Sequence, residues 1–382
     1  MSPLRLSGAV TAVLILLLLP ALPGCGGRKS AVKKEMGMFR PLPVKHAAGF
    51  RLDTATGMIR ATVVNPWQGE EKREITYRIS KAGRIPPGKE PATVQAPVRR
   101  VVCTSTTHVA FLTALGKRNS IVGISGKEYV CDTLLREKIE RGEIKDIGYD
   151  RTTDYETILQ LHPDVVFLYG IGPAVTGTVA RLSTLGIPAV IVGDYLEATP
   201  LGRAEWIRFF GAFFGMTEYP SRWTDSVSAA YDRVKAGITP LATPQVMTGL
   251  PWHEIWYVSG GKSLTATFIR DAGGKYVWDD LPTADALPMD IEKVFRKARD
   301  TDIWINCGNA TSLKQIIKTD KRLALFQPLK NDRVYNNDAR RNGHGGNDYW
   351  ESGVVHPDII LQDLQKIFRG EEKGLVYYRK LK

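Results

Sequence analysis

The chain writes one pattern twice. Asp154-Tyr155-Glu156-Thr157-Ile158-Leu159 precedes the apolar run Val165-Val166-Phe167-Leu168, and Asp290-Ile291-Glu292-Lys293-Val294-Phe295 precedes Ile303-Trp304-Ile305. Both segments read Asp-x-Glu-x-apolar-apolar, both open a helical period, and both feed a short strand through an aspartate, Asp164 or Asp302. Phe111-Leu112-Thr113-Ala114-Leu115-Gly116 is echoed in the same way by Phe268-Ile269-Arg270-Asp271-Ala272-Gly273. Short apolar strands separated by about 10 to 15 helical residues make βαβ units, and such units build parallel sheets. A chain that repeats this grammar is expected to fold as two similar α/β lobes in tandem.

The remaining segments arrange themselves around the repeat. Val101-Val102-Cys103, Ile121-Val122-Gly123-Ile124 and Pro188 to Val192 read as further strands, with helices over Tyr155 to Leu161 and Val175 to Leu185. These bound a first lobe at 98–200 and, by the same grammar, a second at 240–370 followed by a tail at 371–382. Between the lobes, Glu205 to Ile238 holds no strand pattern. Its apolar residues, such as Trp206, Phe209, Phe210, Phe213, Trp223, Val227 and Val234, recur at helical spacing around a break expected at Tyr219-Pro220. One long helix over 201–239 should therefore join the lobes. Upstream, Val44 to Ile79 alternates polar and apolar residues between Gly and Asn/Pro punctuation, which predicts a small β-meander, an N-terminal β extension. Lys81 to Pro97 carries four prolines and reads as a linker.

The first residues are an address. A basic start (Arg5), the apolar run Ala9 to Leu19 and a small-residue neighbourhood closing on Cys25 make a secretory signal over 1–24. The run is too short to span a hydrocarbon core of ~30 Å. Leu22-Pro23-Gly24-Cys25 resembles the lipobox of bacterial lipoproteins, which implies lipidation of Cys25 and a place on the periplasmic face of a bacterial membrane. Segment 25–97 then joins a basic tether (Arg28, Lys29, Lys33, Lys34) to the meander and linker. The charge distribution fits this division. Net charge is +12, yet Arg28 to Arg100 alone holds 16 Lys/Arg against 6 Asp/Glu. The two lobes are close to neutral and lack the basic face that a phosphate-tracking groove requires, so nucleic acid is not expected as a partner.

The segment Thr152-Thr153-Asp154-Tyr155-Glu156-Thr157-Ile158-Leu159-Gln160-Leu161-His162-Pro163-Asp164-Val165-Val166 resembles the hallmark of substrate-binding proteins of ABC importers for ferric siderophores, haem and cobalamin. The likeness runs from about Val98 to Arg369 and includes Leu115-Gly116, the lobe-joining helix and Ala272-Gly273-Gly274. It implies an α/β fold of two lobes bridged by a rigid helix, with the ligand in the cleft between them. The implied function is that of a binding protein that captures a metal chelate and delivers it to an ABC permease dimer with its ATPase. Catalysis and a resident cofactor are not expected, and the chain itself is expected to be a monomer. By motif position the family's docking glutamates, one per lobe, fall on Glu156 and Glu292. Acidic residues in a first turn also suit the helix dipole, so capping is the alternative use of both.

Open α/β sheets place ligands outside the carboxyl ends of their strands. In the first lobe those ends supply Thr106, Thr107, His108, Tyr129, Tyr169 and Tyr195. The second lobe supplies Trp252, Trp256 and the loop Asn336 to Ser352, with Arg340, Tyr349 and Trp350. That loop is almost devoid of aliphatic residues, yet it carries two Arg and two adjacent aromatics. Rings give apolar area and a guanidinium pairs with carboxylate or catecholate oxygens, which together suit a large, flat, partly anionic chelate. Three histidines, His108, His253 and His344, fall in the same loops. With a carboxylate such as Asp194 they keep a Zn²⁺-binding alternative open.

Other chemistries fail on spacing. Gly260-Gly261-Lys262-Ser263 resembles the end of a phosphate-binding loop, but the position of its first glycine holds Trp256. Gly123-Ile124-Ser125-Gly126-Lys127 lacks the second glycine of a nucleophile elbow. No CxxC or CxxH spacing marks a structural zinc site. With Cys25 lipidated, Cys103, Cys131 and Cys307 allow at most one bridge; Cys103–Cys131 is the candidate, against a default of unpaired thiols.

Overall fold

The computed structural model describes residues 39–69, 73–81, 93–149, 152–238 and 243–382. The signal segment, Cys25 and the basic tether lie outside the described residues, as does most of the linker.

The meander is a five-stranded sheet. β1 (Arg40–Leu42), β2 (Phe50–Ala55), β3 (Met58–Val64) and β4 (Glu74–Ser80) run antiparallel in chain order, and β5 (Thr93–Gln95) joins β4 in parallel. Side chains alternate across a strand, which puts Phe50, Leu52, Ile59, Ala61, Val63, Tyr77 and Ile79 on one buried face. This face shares a continuous core with Val101, Phe111 and Phe167 of the first lobe. The extension is thus built into the body instead of hanging from it.

The first lobe follows as β6 (Val101–Cys103), α1 (Thr106–Ala114), β7 (Ile121–Ile124), α2 (Thr133–Glu140), β8 (Lys145–Asp146), α3 (Tyr155–Gln160), β9 (Val165–Leu168), α4 (Val175–Thr184) and β10 (Ala189–Ile191). Its sheet is parallel throughout, in the order β10-β9-β6-β7-β8.

Two helices, not one, join the lobes: α5 (Pro200–Phe213) and α6 (Glu218–Ala236). The expected break at Tyr219-Pro220 falls earlier, where Gly215 adopts a left-handed φ of +69° that ends α5. Pro220 lies in the first turn of α6, where backbone N–H groups have no helical partner, so it is tolerated there and does not interrupt. Nearly every residue of α5 is buried, because it runs between the extension sheet, the first lobe and the second. Its polar residues are paired accordingly. Glu205, fully buried, accepts the N–H groups of Lys45 (2.9 Å), His46 (2.6 Å) and Ala47 (2.9 Å). Glu197, just ahead of the helix, accepts from Gly49 N–H (2.8 Å) and the Trp206 indole (3.0 Å). Several donors per carboxylate offset the cost of burying the charge.

The second lobe comprises β11 (Gln245–Thr248), β12 (Ile255–Ser259), α7 (Leu264–Asp271), β13 (Lys275–Tyr276), β14 (Ala286–Asp290), α8 (Ile291–Ala298), β15 (Ile303–Ile305), α9 (Leu313–Thr319), α10 (Gln327–Lys330), β16 (Val334–Asn336), α11 (Ser352–Val355), α12 (Pro357–Phe368) and β17 (Arg379–Lys380). Its main sheet has the order β13-β11-β15-β16-β17, while β12 and β14 form an antiparallel pair apart from it. The segment expected to be a tail completes this sheet: β17 pairs antiparallel with β16, and Tyr377, Tyr378 and Leu381 are buried. The two lobes match. In each, the first strand (β6 or β11) lies between its successor in the sheet (β7 or β13) and the strand that follows the Asp-x-Glu helix (β9 or β15). Connections reverse at that point, which opens a crevice at the carboxyl ends. Cys103, Cys131 and Cys307 are all free thiols, so the candidate bridge does not form.

Candidate functional site

The carboxyl ends of the two sheets enclose a cavity of about 340 Å³. On the first-lobe side, Ser105 caps α1 by accepting from Thr107 N–H (3.2 Å), which sets Thr106 at the cavity edge. Tyr129, in the turn after β7, forms a second wall. Opposite, the chain leaves β15 through Asn306 and Asn309, and leaves β16 through Asn337 and Asp338; Arg341, Asn347 and Trp350 complete the enclosure. Asp338 is buried and takes an N–H bond from Arg379 at 2.8 Å, so its charge is compensated from outside the cavity. Carboxamides thus dominate the lining and offer both donors and acceptors without net charge. Arg341 adds a cation, and Tyr129 and Trp350, each 46 % exposed, add aromatic area.

Other expected ligand residues have different positions. His108 is fully buried between the rings of Phe167 and Phe210, and burial lowers its pKa to about 3. Trp256 is core as well, against Trp304 and Phe326, with its indole donating to the Thr248 carbonyl (3.0 Å). Thr107 points inward to Asp194 (3.3 Å), which also pairs with Arg203 (3.2 Å). Tyr349 is buried behind Trp350, edge-on to its ring. Arg340 ion-pairs with buried Asp348 at 2.6 Å, and the neighbouring Arg341 is the one that lines the cavity. Tyr169 borders a separate cavity of about 250 Å³ within the first lobe, and Tyr195 packs edge-on against it while donating to the Gly170 carbonyl (3.0 Å). Trp252 is exposed beside His253 in the turn before β12. The three histidines do not converge: His108 is in the core, whereas His253 and His344 are exposed. Among the described residues, no three His, Cys, Asp or Glu side chains are grouped to hold a metal ion, so the three-histidine set does not form.

Asn306 and Asn309 were not expected from the sequence, and Asn337 only as part of the loop Asn336 to Ser352. Their signal is positional: Asn306 and Asn337 directly follow a short strand and Asn309 lies four residues past one, at the edge where ligands collect.

Glu156 and Glu292 are both exposed, and each is the second residue of its helix. Capping is done by their neighbours: Asp154 accepts Thr157 N–H (2.9 Å) and Asp290 accepts Lys293 N–H (2.7 Å). A helix that precedes a parallel strand starts at the carboxyl edge of the sheet, so each glutamate stands on the cleft side of its own lobe.

Comparison with known proteins agrees with this architecture. A family model described as periplasmic binding protein matches residues 101–340. An uncharacterized lipoprotein of Methanocaldococcus jannaschii is 26 % identical over 291 residues, covering 73 % of this chain and 67 % of the relative. Among solved structures, a periplasmic heme binding protein from Pseudomonas aeruginosa superposes with a TM-score of 0.57 at 15 % identity, covering 75 % of this chain and 98 % of that one. An ABC-type Fe³⁺-hydroxamate transport system structure from Saccharomonospora viridis gives 0.54 at 18 % identity, with coverages of 72 % and 95 %. Two matched α/β lobes, a helical bridge and a cavity at the facing strand ends, together with this family match, mean that the chain belongs to the periplasmic binding proteins, which bind substrates for transport and are not enzymes.

Proposed function

We propose that this chain captures an iron complex, haem or cobalamin in the interlobe cavity and delivers it to an ABC permease dimer. The supporting observation is the cavity itself, where two aromatic side chains and Arg341 stand among neutral carboxamides at the facing strand ends. Its volume, about 340 Å³, falls within the range of roughly 300–1,000 Å³ usual for small-molecule sites. A lipid on Cys25 would hold the protein at the membrane, in keeping with the lipobox-like segment and the lipoprotein relative. Glu156 and Glu292 would engage the permease, one from each lobe.

A thermal-shift screen of the chain from Lys29 onward against haemin, cyanocobalamin, ferric siderophores and Zn²⁺ tests the reading. A ligand at 100 times its dissociation constant adds about 2.7 kcal/mol, a shift of a few degrees in a chain of this size. Stabilisation by one chelate identifies the cargo. Silence across the chelates sinks the cargo class, and a response to Zn²⁺ alone sinks the chelate reading.

A further inference from the structure

The loop that supplies much of the cavity wall also reaches across to the opposite lobe. Asn342 Nδ2 donates to the carbonyls of Glu128 (2.8 Å) and Val130 (2.9 Å), while its Oδ1 accepts from the N–H groups of His344 (2.9 Å) and Gly346 (2.8 Å). Gly346 lies so close to Tyr129 that a Cβ there would come 2.2 Å from the Tyr129 carbonyl oxygen. Farther along, the buried Glu351 accepts the N–H groups of Cys131 (2.7 Å) and Asp132 (2.8 Å). The chain then enters α11, where Val354 and Val355 join the core of the first lobe. One stretch of the second lobe thus grips residues 128–132 of the first on both sides of Tyr129. Tyr129 is a cavity wall, and Arg341, Asn347 and Trp350 of the gripping stretch form the wall facing it.

We propose that Asn342, Gly346 and Glu351 are positioning residues for ligand binding, fixing the Tyr129 wall against the Arg341, Asn347 and Trp350 wall so that the cavity is set before a ligand arrives. The role rests on reading the cavity as the ligand site. Segment 128–132 lies outside the sheets, so the carbonyls of Glu128 and Val130 and the N–H groups of Cys131 and Asp132 have no strand partners. Without the grip the N–H groups of Cys131 and Asp132 would turn to water, the two carbonyls would keep only longer contacts from Arg136 of their own lobe (3.5 and 3.3 Å), and the wall would loosen with them. A ligand that meets two ordered walls does not pay for ordering them, which favours retention. Because the grip acts on backbone atoms, it leaves the Tyr129 ring to face the cavity.

Asn342→Asp separates the grip from the turn of the loop. The Oδ1 acceptor for His344 and Gly346 is kept, whereas the Nδ2 donor becomes an oxygen facing two carbonyls. In hydrogen–deuterium exchange of the ligand-free chain, the amides of 128–132 should exchange roughly tenfold faster in this variant, with the rest of both lobes unchanged. Affinity for haemin, cyanocobalamin or a ferric hydroxamate, whichever the unmodified chain binds, should fall roughly tenfold, mainly through faster release. Glu351→Gln, which keeps one acceptor oxygen, is the milder second variant and should shift both readouts in the same direction. Unchanged exchange at 128–132 in both variants overturns the grip. Faster exchange with unchanged chelate affinity overturns the positioning role and leaves the proposed function standing. If the unmodified chain binds none of the three chelates, the proposed function fails, and the exchange data alone decide whether these residues order the wall.

Discussion

Glu292 lies 2.5 Å from the guanidinium of Arg322, which is itself held by Asp320 at 2.6 Å. Glu156, at the same step of the matching helix, instead meets the amide of Gln160 at 3.4 Å. The repeat therefore places two equivalent carboxylates in unequal surroundings, and one of them arrives with a cation already on it. An exposed pair of this kind adds little to stability and weakens with salt, so it would give way to an arginine of the proposed permease partner.

Replacing both glutamates, Glu156→Ala with Glu292→Ala, should abolish permease-dependent uptake into proteoliposomes while chelate affinity stays within about twofold. Arg322→Ala should raise the rate of association with the permease at low salt by a few-fold, since it uncovers a negative charge. Loss of chelate binding in the double variant would contradict the docking role.

The two adjacent arginines should separate cleanly. Trp350→Ala and Arg341→Ala remove cavity contacts and should each weaken chelate binding by about 1–3 kcal/mol in titration calorimetry. Arg340→Ala strands the buried Asp348 carboxylate instead. It should lower unfolding stability by about 1–2 kcal/mol and leave affinity nearly unchanged. An affinity loss in Arg340→Ala equal to that in Arg341→Ala would place the wrong guanidinium in the wall.

His108 gives the fold an acid-sensitive point. Its folded pKa of about 3 lies below the ordinary value of 6.5. Between the two, the unfolded chain binds a proton that the native chain refuses, so stability is full above about pH 6.5 and declines as pH falls towards 3. The decline attributable to this residue amounts to ~4–5 kcal/mol at its fullest. His108→Leu should flatten the fall in urea midpoint between pH 7 and pH 4; parallel curves for the two proteins would show that acid acts elsewhere.

Glu205→Ala would leave the N–H groups of Lys45, His46 and Ala47 without their acceptor inside the molecule. A loss of about 2–4 kcal/mol is expected in urea unfolding. Limited proteolysis should cut the loop between β1 and β2 sooner than in the unmodified chain. Unaltered cleavage there would mean that the apolar face alone holds the extension.

The lobes were legible because their signal is periodic: the Asp-x-Glu helices and the strands at Val165 and Ile303 stand where the repeat puts them. The cavity was legible in part. Thr106, Tyr129 and Trp350 follow from the rule that ligands meet strand ends, but His108 and Trp256 obey the same rule by sequence distance and point into the core instead. Along α1 each residue turns the side chain by about 100°, so the two steps from Thr106 to His108 carry one to the cavity and the other to Phe210 on the opposite side. Arg340 and Arg341 show the same limit, since the turn at Arg340 sends one side chain to Asp348 and leaves the next along the cavity wall. The grip of Asn342 on Glu128 joins residues 214 positions apart, and no local pattern announces such a contact.

Docking of the extension onto α5 also fixes a distance. Had residues 40–97 been a free arm, a lipid on Cys25 would have tethered the lobes through some seventy residues of slack. Because Glu205 and Glu197 fasten the loop after β1 to the body, the leash shortens to the 14 residues between Cys25 and Arg40. Even drawn straight, that stretch reaches about 50 Å. A lipid on Cys25 would therefore hold the lobes within that distance of the membrane surface it enters.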